Sequence, residues 1–315
     1  MLRAEPCCWH YACCGREHDV SLLIITDPGP DPDDVKALLI AAVGHRQGGG
    51  VHIAGVVANG GGEPLRRARL ARCILDTIGA PDIPVAVGSP GVPTLAKPHE
   101  YAIDGYAEVD DSRLWDGAEL IRSVLTGARR QSLTVLCISG LTDFADIISS
   151  EPALVRAKVK QVSIQGGLER DAASPSGYCA DKSVNNTFDM DAANRVYAFC
   201  FAQGIPMTVT SRFAVPNIPM QLAKSFALRS ECPVMHYLVR LTNTSAVRPQ
   251  ASRRMLGSLT AQHAMSPSML VHVRSTLSCR PMRSISVSPA CGRSSAQASC
   301  QLDAPSAGSL RHFAA

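Results

Sequence analysis

The stretch VSLLIITDPGPDPDDVKALLIAAVGH, residues 20–45, carries a strand, a turn and a helix in that order. Residues 20–26 form an apolar run of the length of a buried strand. Residues 27–34 then bring three prolines, a glycine and four aspartates, which end the strand and turn the chain. From Asp33 to His45 the pattern becomes helical. The same cycle recurs outward from this stretch. VHIAGVVAN (51–59) precedes a helical stretch over 63–78, and IPVAVG (83–88) precedes a long loop and a helix near 117–128. LTVLCIS (133–139) leads into a helix from about Asp143, VKQVSIQ (159–165) is followed by a helix over 189–203, and IPMTVT (205–210) comes next. Strands alternating with helices at this spacing predict βαβ units: an α/β fold with a mainly parallel sheet and helices on both faces. Ligands of such folds sit outside the carboxyl ends of the strands. The polar clusters TDPGPDPDD, ANGGGE, SGLTD and QGGLERD each follow a predicted strand.

Composition narrows the function classes. The 315 residues are 46% apolar, enough for a sizeable core, and wholesale disorder is excluded. The formal net charge of +4 is uneven: residues 245–315 hold eight Arg, no Lys and one acidic residue, Asp303, so the rest of the chain is mildly acidic. That balance gives the folded part no electrostatic reason to bind nucleic acid. No apolar run reaches the roughly 18 residues needed to span a bilayer, so no membrane partner is expected. The twelve Cys do not spell a disulfide framework, and Cys7-Cys8 and Cys13-Cys14 lack the spacing of a zinc knuckle. Three segments are expected: an unstructured extension over 1–18, an α/β domain over 19–240, and a low-complexity tail over 241–315 whose Ser, Arg and Pro composition cannot assemble a core. A frame-shifted reading would give the same tail.

The acidic turn carries the chemistry. Asp27, Asp31, Asp33 and Asp34 lie within eight residues and would repel one another unpaired. Capping of the following helix accounts for one or two of them. Four at a strand's carboxyl end suit a hard divalent cation, because Ca²⁺ collects oxygen ligands from carboxylates, carbonyls and water. The spacing is not that of an EF-hand.

These residues resemble the inosine/uridine-preferring nucleoside hydrolases, whose first strand ends in Asp-Pro-Gly-x-Asp-Asp; here the loop is two residues longer. Four further segments follow in the family's order: GVVANGG (55–61), ISGLTDFADI (138–147), SIQGG (163–167) and NNTFDMDAA (185–193). The resemblance covers about residues 20–230. It implies a nucleoside hydrolase-like, Rossmann-like fold and hydrolysis of the N-glycosidic bond of ribonucleosides to free base and ribose. It further implies Ca²⁺ held by Asp27, Asp34 and the backbone carbonyl of Thr142, with Asp27 also the base that deprotonates a calcium-bound water. Asp33, Asn59, and Asn185 or Asn186 would bind the ribose. Such a site suits cleavage through an oxocarbenium-like sugar, which needs fixed negative oxygens and an oriented water. Phe188 and Trp115 are candidate base contacts, although packing is the commoner role of such aromatics. His99 and His236 are candidate leaving-group acids, although a surface or internally satisfied histidine is the commoner reading of each.

The chain departs from the family in one respect. The late His-Asp motif, which supplies a further calcium ligand, is absent: no His-Asp dipeptide occurs in the sequence. The C-terminal part of the fold is therefore expected to be incomplete. The alternative function is a catalytically impaired nucleoside- or ribose-binding homologue, and a third is an interaction protein whose basic tail meets an anionic partner. The expected partner is a small-molecule nucleoside, as in purine and pyrimidine nucleoside salvage. A homo-oligomer and a cytoplasmic location complete the expectations.

Overall fold

The computed structural model describes residues 20–214 apart from 30, 49 and 96–98, together with 221, 232–246 and 271–273. The expected extension over 1–18 and most of the expected tail lie outside these residues.

Each predicted strand forms. The first is β1 (Val20–Thr26), followed by α1 (Pro32–Arg46), β2 (Val51–Ala58), α2 (Pro64–Thr77) and β3 (Val85–Val87). Then come β4 (Leu114–Asp116), α3 (Gly117–Gly127), β5 (Leu133–Cys137), α4 (Thr142–Ser150) and α5 (Pro152–Lys158). The chain continues through β6 (Val159–Gln165), the short hairpin β7 (Leu168–Arg170) and β8 (Tyr178–Ala180), α6 (Val184–Thr187), α7 (Met190–Gln203) and β9 (Met207–Thr210). The last described elements are α8 (Pro233–Ala246) and β10 (Val271–Val273). Glycine stops α7: Gly204 takes a left-handed conformation (φ 65°), and its N–H bonds back to Cys200 and Phe201.

The main sheet runs β10-β9-β6-β5-β1-β2-β3-β4, and only the edge strand β10 pairs antiparallel. Strand order fixes where a ligand sits. From β1 the chain steps outward through β2, β3 and β4, then returns to place β5 on the opposite side of β1. That reversal leaves a crevice beyond the carboxyl ends of β1 and β5, the position at which open α/β sheets bind ligands. Register aligns the ends: Thr26 pairs with Ala58, Ile25 with Cys137, and Cys137 with Ile164. The loops after β1, β2, β5 and β6 therefore open on one edge.

Both faces of the sheet are covered at its centre, so β1, β2 and β5 are mostly apolar and largely buried. On β1, Leu23 and Ile25 pack with α3, α4 and α7 residues such as Leu120, Phe144 and Val196, whereas Ile24 packs with Leu38, Ala68 and Leu75 of α1 and α2. A third cluster joins Val35, Leu70 and Ile74 to Val234, Tyr237, Leu238 and Leu241 of α8. These α8 positions follow the i, i+3, i+4, i+7 pattern of a buried helical face. Leu241, the first residue of the expected tail, is fully buried there. No helix among the described residues is long and apolar enough to cross a membrane.

The Arg-rich α2 buries two of its arginines. Arg72 donates to the carbonyls of Ile83 (2.5 Å) and Ala80 (3.0 Å) and to Asp76 (3.0 Å), pinning the turn that leads into β3. Loss of these bonds strands buried carbonyls. Arg72→Met is expected to lower the unfolding free energy by about 2–3 kcal/mol, read from the urea midpoint at unchanged slope; a change under about 0.5 kcal/mol would show that the turn does not depend on it.

Candidate active site

The turn after β1 is held by Asp34. Its Oδ1 accepts from the Thr26 hydroxyl and from the Asp27 backbone N–H (3.2 Å), so the first turn of α1 is tied back to the end of β1. The N-cap of α1 is Asp31, whose side chain makes no capping hydrogen bond. Helix capping therefore does not explain the aspartates. Asp34 is 6% exposed, and Asp27 is partly open to the cavity, its side chain 16% exposed.

A cavity of about 330 Å³ opens at this point, lined by Asp27, Asp31, Asp33, Asp34, Arg67 and Glu100 and walled by apolar residues that include Ile138, Val184 and Phe188. Burial raises the carboxyl of Asp27 well above its ordinary range, and the neighbouring Asp34 raises it further, against Arg67. Burial and then the charge of Asp33 push Asp34 up to about 7, against the hydrogen bonds from Thr26 and Asp27. Like charges confined together leave the cavity in need of a cation.

The other candidate residues divide by where they point. Asp33 lines the cavity and accepts from Gln165 Nε2 (3.2 Å) at the end of β6. Asn185 also lines it, with its amide donated to the carbonyls of Ile138 (3.0 Å) and Gln165 (3.1 Å). Asn186 is fully buried behind that wall: it donates to Gly167 O (2.9 Å) and Asp181 and accepts from the Tyr197 hydroxyl. Asn59 is 3% exposed, and its amide donates to Gly140 O (3.1 Å) and Asp143 Oδ2 (2.6 Å). Asp143 also accepts from the Ser89 N–H (2.7 Å) and hydroxyl (2.9 Å), so Asn59 joins the loops after β2, β3 and β5. Thr142 opens α4, and its hydroxyl donates to Asp189 Oδ2 (2.9 Å), the N-cap of α7. Neither Asn59 nor Thr142 is among the residues lining the cavity. Phe188 is on its wall, whereas Trp115 sits on edge strand β4 and His236 on a separate hollow beside α8.

Comparison with known proteins decides the family. The profile of the inosine-uridine preferring nucleoside hydrolases matches residues 22–296. The chain belongs to that family. The match extends past the 20–230 that the motifs cover. Among solved structures, the effector XopQ complexed with adenosine diphosphate ribose is 25% identical, at TM-score 0.63 over 73% of this chain and 67% of that one. A plant nucleoside hydrolase is 18% identical, at TM-score 0.58 over 75% and 74% of the two chains. The inosine-uridine preferring nucleoside hydrolase of Bacillus anthracis is 17% identical, at TM-score 0.51 over 73% and 77%. Together they show the nucleoside hydrolase fold. No curated protein matches the chain.

Two charged lining residues were not legible as site residues. Arg67, 4% exposed, donates through Nη1 to the Asp27 carbonyl and pairs with Asp27 Oδ2 at 3.2 Å. Its signal is position: Arg67, Leu70, Ala71 and Ile74 share the buried face of α2 at i, i+3, i+4 and i+7. Glu100 is 4% exposed and follows a loop with no pattern of its own.

The donor chemistry fits a hard divalent ion, since Asp27 and Asp34 are buried carboxylates with an excess of negative charge around them. Even so, among the described residues no three His, Cys, Asp or Glu side chains converge to hold a metal by themselves. Backbone, water or substrate oxygens would have to complete the shell. Between the ordinary value of 3.8 and about 7, the native chain keeps the Asp34 proton that the unfolded chain has released, so stability falls as pH rises through that window. In chelator-treated protein the melting temperature is expected to drop by roughly 5 °C or more from pH 5 to pH 8, and Asp34→Asn to flatten the slope. A flat profile in the unaltered chain contradicts this placement of Asp34.

Proposed function

We propose that the chain hydrolyses the N-glycosidic bond of ribonucleosides, releasing free base and ribose. The reading rests on one observation: Asp27, Asp33, Asp34, Asn185 and Phe188 line a single cavity at the switch point of the sheet. Family membership supports the reaction class.

In this reading Asp27 accepts a proton from the attacking water as the water oxygen bonds to the anomeric carbon and the bond to the base nitrogen breaks. Burial suits it to that task, because a carboxylate raised above its ordinary range is a stronger base. Asp33 accepts a ribose hydroxyl, and Gln165 fixes its orientation. Asn185, tied to Ile138 and Gln165, presents its remaining amide oxygen to the sugar. Phe188, Val184 and Ile138 shield the ring from water, which strengthens every charge interaction inside. Asn59 acts behind this layer by joining the loop after β2 to Asp143. Asp27 and Asp34 would hold Ca²⁺, which when bound orients the ribose diol and lowers the pKa of water; Thr142 lies outside the cavity lining and is not counted among these ligands.

Release of ribose from inosine and uridine, with and without a chelator, tests the reading. Calcium-dependent release is expected, with Asp27→Asn reducing kcat about 10³-fold; no release at any calcium concentration rejects it. A second reading, a ribose-binding homologue without turnover, is favoured by the hold of Arg67 on Asp27 and by the XopQ structure carrying adenosine diphosphate ribose. It predicts binding heat with ribose or adenosine diphosphate ribose and no product.

A further inference from the structure

Arg67 is the only basic residue among those lining the cavity, against five acidic ones. Its guanidinium is held from several sides. Nη1 reaches both the carbonyl and the carboxylate of Asp27. Nε and Nη2 lie over Gly61, where a Cβ would come within 2.7 Å of either nitrogen. Gly61 has φ +72°, and Gly29 is close on the other side, with a would-be Cβ 3.4 Å from Nη1. Only glycine at position 61 leaves room for a guanidinium at this depth, and the positive φ keeps other residues out. The Arg67 charge is thus seated beside the carboxylate read above as a cation ligand. A guanidinium has five donors in a fixed fork, and no hydrogen bond joins Nε or Nη2 to another described residue.

Two cations beside one carboxylate repel each other, and the repulsion is strong where water is scarce. A divalent ion on Asp27 and the guanidinium on Asp27 Oδ2 are therefore alternatives. We propose that Arg67 is a tethered counter-cation that competes with the divalent ion for Asp27 and so sets the metal affinity of the site. The inference rests on the reading of Asp27 and Asp34 as ligands. Without the ion, Arg67 supplies positive charge from within the chain and keeps the acidic turn folded. Binding of the ion displaces the fork from the carboxylate, while the Asp27 carbonyl remains as an anchor for Nη1.

Calorimetric titration of Ca²⁺ into the full chain, free of nucleoside, tests the competition. Arg67→Met is expected to tighten Ca²⁺ binding at least tenfold and Arg67→Lys to change it less, because a compact ammonium keeps the charge but not the fork. Arg67→Gln retains a donor for the Asp27 carbonyl and serves if the methionine variant fails to fold. Asp27→Asn should abolish binding in every background. Equal affinity with and without Arg67, while Asp27→Asn still abolishes binding, overturns the competition and leaves the metal reading standing. Weaker binding on removing Arg67 also overturns it, by making Arg67 a positioning residue for the ligand. No Ca²⁺ binding by any variant rejects the metal reading and the competition with it.

Discussion

The hold that Asp34 exerts on the end of β1 is the constraint from which the site follows. One carboxylate oxygen takes both the Thr26 hydroxyl and the Asp27 N–H, and thereby fixes the distance between a strand end and a helix start across a proline-rich loop. The bonds run from neutral donors to a buried carboxyl and are of the stronger class once it ionises, near pH 7. They are opposed by the cost of keeping that anion out of water beside Asp27 and Asp33. The turn is consequently a balance: locally satisfied, but with negative charge that must be met by Arg67, by protons or by a bound cation.

The sheet delivers the rest of the wall to this point. Because β1 and β5 are neighbours with their connections departing in opposite directions, the crevice between them is left open for a ligand. β6 contributes Gln165, which orients Asp33 and receives Asn185 through its carbonyl. Deeper contacts link the loops to each other: Asn59 to Asp143, Thr142 to Asp189, and Asn186 to Gly167 and Asp181. Cavity and scaffold are thus separate layers, one facing the ligand and one holding the loops in register.

Much of this was legible in the sequence, for a physical reason. The β-rich runs before Asp27, Asn59 and Ser139 and the helical periods after them specify βαβ units locally, and the acidic turn cannot be explained by capping alone. Direction was less legible. Asn185 and Asn186 are adjacent in sequence, yet one lines the cavity and the other meets the Tyr197 hydroxyl, a choice made by the packing of α7 against the sheet. Arg67 lies in a stretch dense with arginines, where composition suggests a solvated face; only its register with Leu70 and Ile74 reveals that it turns inward. Helix α8 was hidden by the composition of the residues after it, although Val234, Tyr237, Leu238 and Leu241 carry a helical period of their own.

The central claim is that Asp27 and Asp34 converge on a divalent ion beside which a ribose is seated. A crystal structure of the chain soaked with Ca²⁺ and a non-hydrolysable ribonucleoside analogue tests it most directly. The account predicts density for an ion contacting Asp27 and Asp34, with the sugar hydroxyls against Asp33 and Asn185. An ion-free turn with the analogue elsewhere, at calcium concentrations that saturate other hydrolases of the family, would contradict it.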